Sequence, residues 1–426
     1  MVLVVGSCTT LDPHGNSVSN IAHNRNRKFN LNMFLSQEKL NAIGKTHSSI
    51  FEWRGQFTPE FVDYLLDTYG FDRMTVADPF CGSGTVLLES ILRGYNAYGY
   101  DINPAAYLMS KFITYVGWSK HSVENLVIPQ SRAFFDDLIF GSGVLTEVDE
   151  NTSENRMKIV EVLKSSSYMA GPRYYVPFIM AVLFKLEKTR RKAPIKVLIY
   201  DIIYELSHFI THIGDCSADV FQRDARFIGQ DLKDSVDLII TSPPYINVFN
   251  YHQNYRELME GIGYDILNIA EGEFGSNRKN RSNRFKTVVQ YTIDMGKTIE
   301  SMLESLKLGG RAIIIIGVES TVNGIPFNNA QIIQECIDCN YAAKVEEVAV
   351  REFKNRFGET ILEKIIVVRK VHEVTENLPS IYRTIAVDEL NRALEIAKGL
   401  GDSNKAKSIN EAIEAAKEIV TSKLIQ

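Results

Sequence analysis

Two short stretches of this chain put ligand-holding or reactive residue types at strand ends. In Asp78-Pro79-Phe80-Cys81-Gly82-Ser83-Gly84-Thr85, two glycines stand between an apolar run, MTVADPF, and a helix-forming run, GSGTVLLESILRG. Glycines there let backbone approach a ligand, and the first turn of the helix that follows offers unpaired N–H groups. A dinucleotide fingerprint needs a third glycine where this chain has Leu87, which argues against a nicotinamide-dependent dehydrogenase. Asp101 lies 19 residues beyond Gly82 at the end of the next apolar run, where a carboxylate can accept hydrogen bonds from both hydroxyls of a ribose. The second stretch, DLIITSPPYINVFNY from 237 to 251, stops a buried-looking strand with two prolines and a tyrosine. Neither Pro243 nor Pro244 can donate a backbone hydrogen bond, and each drives the residue before it toward extended geometry. The result is a rigid corner at the carboxyl end of a strand, where open α/β sheets bind ligands.

The elements around these stretches are those of a doubly wound sheet. TPEFVDYLLDTYG predicts a helix with Thr58 at the cap, Pro59 in its first turn and Gly70 as its stop. MTVADPF, the glycine loop with its helix, and NAYGYDINP then form one βαβ unit in about thirty residues. ADVFQRDA, VDLIIT, RAIIIIGV, AAKVEEVAV and ILEKIIVV supply further strands, with helices expected over DMGKTIESMLESLKLGG and NNAQIIQECIDCN. Between the two sets of strands the periodicity turns helical, best seen in APIKVLIYDIIYELSHFITHIG, and the last fifty residues read as two amphipathic helices around a GDSN turn. The organisation expected is an irregular arm and first half-sheet over 1–118, a helical insert over 119–213, the second half-sheet over 214–374 and helices over 375–426.

Composition narrows the class. The 426 residues are 45% apolar and carry a net charge of −5, so a polyanion would have to be held by local patches and not by the whole surface. Five scattered cysteines, Cys8, Cys81, Cys216, Cys336 and Cys339, fit a reducing compartment and no disulfide framework. The apolar runs are strand-sized and MVLVVG is short for a signal sequence, so a soluble cytoplasmic protein is expected. Two basic runs stand out. KLEKTRRKAPIK (185–196), with Arg190, Arg191 and Lys192, has six basic residues against one acid. SNRKNRSNRFK (276–286), with Arg278, Lys279, Arg281, Arg284 and Lys286, has five and no acid. Such loops suit phosphate and base-edge contacts, and solvated loops are the alternative for each. His208 and His212 lack a third partner for a metal, and the Cys336–Cys339 pair lacks a second pair, so no metal is expected.

Taken together, DPFCGSGT (78–85) and SPPY (242–245) resemble the motifs of the S-adenosylmethionine-dependent amino-methyltransferases that act on exocyclic nitrogens of DNA bases. The resemblance covers roughly 47–118 and 214–370 and implies a seven-stranded Rossmann-like methyltransferase sheet. It implies S-adenosylmethionine as cofactor, held by Asp78, Pro79, Phe80, Gly82, Gly84 and Thr85 of the loop. In GQFTPEF, Phe57 and Thr58 would close over its methionine end; in YGYDINP, Asp101 would take the diol and Ile102 the adenine. In RDAR, Asp224, followed by Ala225, would bind the adenine amino group. Ser242, Pro243, Pro244 and Tyr245 would hold the target base. An exocyclic amino group is a poor nucleophile because its lone pair is delocalised, and acceptors aimed at its protons, the Ser242 hydroxyl and the Pro243 carbonyl, would free that lone pair while Tyr245 stacks on the ring. The base must be flipped out of the duplex to arrive there. Serine at the first corner position resembles the cytosine-N4 enzymes; adenine-N6 is the alternative, followed by an RNA base amino-methyltransferase and by a non-catalytic DNA- or cofactor-binding module. Ring-carbon methylation needs a Pro-Cys pair, and this chain has none. The insert is then the first candidate for target recognition, duplex DNA the partner with a cognate restriction endonuclease acting on the same site, and the chain a monomer or homodimer.

Overall fold

The structure, a computed structural model, describes residues 35–40, 50–146, 148–165, 173–210, 216–247, 250–276, 280–354, 358, 360–374 and 378–426. At its centre lie seven strands: β1 Thr75–Asp78, β2 Asn96–Tyr100, β3 Ala218–Phe221, β4 Val236–Thr241, β5 Leu306–Gly317, β6 Ala343–Lys354 and β7 Thr360–Lys370. They pair in the order β3-β2-β1-β4-β5-β7-β6; the first five run parallel, and β7 is antiparallel to both its neighbours. This is a doubly wound, Rossmann-like sheet. Strand order reverses between β1 and β4, so the crevice for a ligand opens at the carboxyl ends of those two strands.

Continuous apolar runs in β4 and β5 follow from burial on both faces. Leu238, Ile240, Ile313 and Ile315 face one core with Phe61, Val62, Leu65 and Leu66 of the helix Pro59–Tyr69. Ile239, Ala312, Ile314 and Ile316 face the other, under the helix Lys286–Ser305. Each buried leucine or isoleucine among them contributes about 1.5–3 kcal/mol of transfer free energy, which fixes the register that the site depends on.

The helix Lys286–Ser305 begins earlier than DMGK implies and stops before LKLGG, which instead opens β5. Gly309 there takes φ +85°, and the β4–β5 register shifts between Val236 and Leu238, so this glycine pair serves a bulge and not a helix stop. A short antiparallel hairpin, Ser320–Val322 with Ile325–Phe327, follows β5; Asn323 (φ +52°) and Gly324 (φ +76°) form its two-residue turn, an Asn-Gly pair that the reading of the strands passed over.

Helices Ile128–Asp136, Ser153–Ser165, Val176–Lys188 and Ile195–Ile210 occupy the insert. They share one apolar core with helices Thr85–Leu92 and Pro104–Thr114 that flank the sheet, Phe112 meeting Phe178 at 5.7 Å and Phe209 at 6.4 Å between ring centroids. Helices Pro379–Gly399 and Ser403–Glu414 cover the opposite face; Tyr382 rests on Gly296, where a Cβ would come within 2.5 Å of its ring. Among the described residues no helix is long and apolar enough to cross a membrane.

Candidate functional site

The glycine loop turns tightly from β1 into the helix Thr85–Leu92, closed by the Gly84 amide donating to the Cys81 carbonyl at 2.8 Å. Gly82 (φ +51°) and Gly84 (φ +86°) both need left-handed backbone, for different reasons. At Gly82 a Cβ would press the Trp53 indole at 2.9 Å, on the wall of a cavity; at Gly84 it would meet Ser110 Oγ at 3.0 Å, away from that cavity. Cys81 is packed: its sulfur lies where a Gly99 Cβ would fall, at 2.9 Å, and burial pushes its thiol well up. Asp101 ends β2 with one carboxylate oxygen accepting from the Gly82 amide (3.1 Å) and the other from the Asn103 amide (2.8 Å). Asn103 in turn caps the helix Pro104–Thr114 and donates to the Tyr251 carbonyl at 3.0 Å.

The proline corner leaves β4 directly beside this loop. Thr241, the last residue of β4, donates its hydroxyl to Asp78 Oδ1 at 2.6 Å, a buried bond from the start of one motif to the threshold of the other. A cavity of about 760 Å³ runs between them, lined by Asp78 to Ser83, Thr85, Asp101 and Ile102 on one side and Ser242, Pro244 and Tyr245 on the other. Pro243 is buried behind that wall, and the Pro244 carbonyl accepts from Tyr291 at 3.0 Å. Replacing Thr241 with valine is expected to cost about 1–3 kcal/mol by stripping a donor from a buried carboxyl. Urea unfolding of the variant against wild type measures it.

The remaining expected residues divide. Phe57 and Ala225 line the cavity; Thr58 sits at the cap of its helix without lining it, and the neighbouring Gln56 does instead, accepting from Ser83 Oγ at 2.9 Å. Asp224 also lines the cavity. Its carboxylate is gripped by Arg226, Nε to Oδ1 at 2.8 Å and Nη2 to Oδ2 at 2.6 Å, and its side chain is only 1% exposed. In the first basic run Arg191 pairs with Asp201, while Arg190 and Lys192 are exposed. In the second, Arg284 reaches the Asn247 side-chain oxygen just past the corner, Arg281 is exposed, Lys286 is half-buried, and Arg278 and Lys279 lie outside the described residues, as does His212. Cys339 hydrogen-bonds the Cys336 carbonyl at 3.2 Å. Among the described residues no cluster of His, Cys, Asp or Glu is arranged to hold a metal.

Sequence reasoning missed several lining residues. Trp53 and Tyr251 stack at 6.1 Å over the loop, Phe274 meets Phe80 edge-on at 5.6 Å, and Glu273 clasps His252 through its amide (2.5 Å) and Nδ1 (2.8 Å). Glu363 arrives from β7, far along the chain. Trp53 adjoins GQFTPEF, a segment that carried the resemblance; no such segment marks Phe274 or Glu363.

Six carboxyl residues, Asp78, Asp101, Asp224, Glu273, Glu319 and Glu363, line the cavity against two arginines, Arg54 and Arg223. S-adenosylmethionine fits this set: Asp101 for a ribose diol, Gly82 for close backbone approach, Ile102 and Phe274 as apolar faces for a purine, and an acidic wall for a sulfonium. Burial pushes the carboxyls of Asp101 and Asp78 up to about 7, against the hydrogen bonds that pull each down. Since their ordinary value is 3.8, the folded chain holds these protons where the unfolded chain has lost them. The stability they contribute is therefore full at low pH and lost as pH rises through about 7. Ligand binding runs the other way, because only the ionised Asp101 accepts from both hydroxyls. Cofactor affinity should strengthen roughly tenfold from about pH 6 to about pH 8, a dependence that Asp101→Asn should flatten in calorimetry.

Comparison with known proteins bears on the same segment. Residues 13–112 match the family model described as DNA methylase. That span contains the glycine loop and Asp101 but is less than half of the chain. The chain is 22% identical to the Type II methyltransferase M.BsoBI of Geobacillus stearothermophilus over 53% of its own length and 55% of the relative's. It is 33% identical to the Type II methyltransferase M.VspI of Vibrio sp. (strain 343) over 18% of its length and 19% of that protein. The chain thus spans about half the length of the first relative and about a fifth of the second. A solved SAM-dependent methyltransferase of Methanosarcina mazei aligns over 72% of this chain and 98% of its own, at 11% identity and a TM-score of 0.33.

Proposed function

We propose that this protein is an S-adenosylmethionine-dependent DNA methyltransferase that modifies the exocyclic N4 amino group of cytosine, flipped out of duplex DNA, as the modifying half of a restriction-modification pair. One observation carries the reading: the buried Thr241–Asp78 hydrogen bond sets the glycine loop and the proline corner against each other across a single cavity. The family match and the Type II relatives support it.

When bound, the cofactor supplies an electrophilic methyl on a sulfonium that departs as a neutral thioether. The chain's own residues do the rest. Asp101 orients the nucleoside end, the acidic wall favours the cation over the neutral product, and Ser242 accepts a hydrogen bond from the target amino group, freeing its lone pair for attack. Pro243, buried behind the wall, braces the corner and is not the acceptor the sequence suggested. Tyr245 stacks on the base. The exposed cations Arg190, Lys192 and Arg281 suit the DNA backbone, whose sequence-independent contacts weaken with salt.

Purified protein incubated with unmethylated duplex DNA and S-adenosylmethionine, followed by digestion to nucleosides and mass analysis, is expected to yield N4-methyl-2′-deoxycytidine. N6-methyl-2′-deoxyadenosine would move the reading to the adenine enzymes, and no methylated nucleoside would overturn it.

A further inference from the structure

The Asp101 carboxylate is aimed by two backbone amides, that of Gly82 at 3.1 Å and that of Asn103 at 2.8 Å. Both lead back to one residue, Tyr251. The Asn103 side chain donates to the Tyr251 carbonyl at 3.0 Å. Gly82 lies under the Trp53 indole, which a Cβ there would meet at 2.9 Å, and the indole stacks on the Tyr251 ring, 6.1 Å between centroids and 16° between planes. Tyr251 opens a single turn of 3-10 helix, Tyr251–Gln253, too short to keep its shape unaided. Glu273 holds that turn. One of its carboxylate oxygens accepts from the His252 amide at 2.5 Å and the other lies 2.8 Å from His252 Nδ1. The His252 and Glu273 side chains are 4% and 9% exposed, and a carboxylate can only accept, so the Nδ1 proton is turned toward it.

We propose that Glu273 is a positioning residue for the cofactor: by clasping His252 it seats Tyr251, and through Tyr251 it fixes both amides that aim Asp101 at the ribose diol. This rests on the cofactor-site reading given above. Asp101 needs such bracing because the last torsion of an aspartate side chain is broad, whereas two vicinal hydroxyls are held together only by a carboxylate kept in one orientation. Glu273 also lines the cavity, so direct contact with the ligand is the rival role. The two differ in what they require. A direct contact acts whatever stands at position 101, while a positioning role disappears once there is no carboxylate to aim or no diol to receive it.

Calorimetry on the full chain with S-adenosylmethionine, and with adenosine and 2′,3′-dideoxyadenosine as probes of the diol, tests this. Glu273→Gln, which turns a donor toward one of the two His252 N–H groups, should weaken binding of S-adenosylmethionine and adenosine roughly tenfold. The dideoxynucleoside should lose less than about twofold, and in an Asp101→Ala background the same substitution should cost S-adenosylmethionine less than about twofold. His252→Ala should match Glu273→Gln, and His252→Asn, whose side-chain N–H falls where Nδ1–H does, should recover most of the loss. If Glu273→Gln fails to fold, this His252 pair carries the test from the other side of the clasp. Wild-type affinity in Glu273→Gln, an equal loss with the dideoxynucleoside, or losses that multiply with Asp101→Ala would overturn the proposal. Failure of the wild-type protein to bind S-adenosylmethionine would overturn the cofactor-site reading and this proposal together, whereas wild-type binding that ignores Glu273→Gln overturns this proposal alone.

Discussion

Replacing Ser242 with alanine is expected to lower methyl transfer roughly 100- to 1,000-fold, the loss typical of removing one aimed hydrogen-bonding group from a reacting centre. Cofactor affinity should stay within about twofold of wild type, because every contact assigned to the cofactor lies elsewhere on the cavity wall: Asp101 at the end of β2, Gly82 in the loop, Ile102 beyond it. Ser242 lies on the far side, one residue past the Thr241–Asp78 bond. The split between rate and affinity is the informative part. A rigid corner that merely shaped the cavity would, when altered, loosen cofactor and transfer together. Rapid-quench methyl transfer and calorimetry on one preparation separate these cases, and equal losses in both would remove Ser242 from the reacting centre.

Residues that follow local rules were legible in the sequence. The proline corner, the glycine turn and the Asp101 turn each sit at a strand end where glycine or proline dictates the backbone, and all seven strands coincide with apolar runs. Helix limits were legible only where a cap or breaker marked them. Lys286–Ser305 begins with no capping side chain, and its LKLGG sequel is drawn into β5 by pairing with β4, a tertiary effect that outweighs helix periodicity. Site residues divided along the same line. Asp224 stands in a turn that resembles a cofactor turn, yet its role depends on Arg226 and on segments that fold against it from far along the chain. Glu363 reaches Tyr245 across 118 residues, and a contact formed by strand order leaves no trace in spacing.

Arg226→Met is expected to destabilise the fold by about 3–5 kcal/mol, the range found when one partner of a buried ion pair is removed and the other charge is left behind. Here two charges are left behind. The Arg226 side chain is 4% exposed and lies between Asp224, 1% exposed, and Asp294, fully buried at 2.9 Å. It also donates to the Ser422 carbonyl and hydroxyl and to the Lys423 carbonyl, while Asp294 accepts from the Ser422 amide and the Asp224 amide donates to the Ile425 carbonyl. Arg226 therefore pins residues 422–425 against the turn that forms the Asp224–Ala225 wall of the cavity. Burial already pushes the Asp294 carboxyl up to about 7 with Arg226 opposing it, and loss of the arginine should push it higher. A carboxyl raised in the folded state stabilises at low pH and ceases to as pH rises through its folded value. The Asp294 part of the defect should accordingly be smallest at about pH 5 and deepen as pH rises through about 7 toward about 9, which urea unfolding at both ends of that range reads directly. A deficit independent of pH would mean that Arg226 acts through packing alone. Limited proteolysis supplies the second arm: cleavage near Ser422 in the variant at neutral pH, suppressed in acid, is the outcome that ties the buried charges to the seating of this segment.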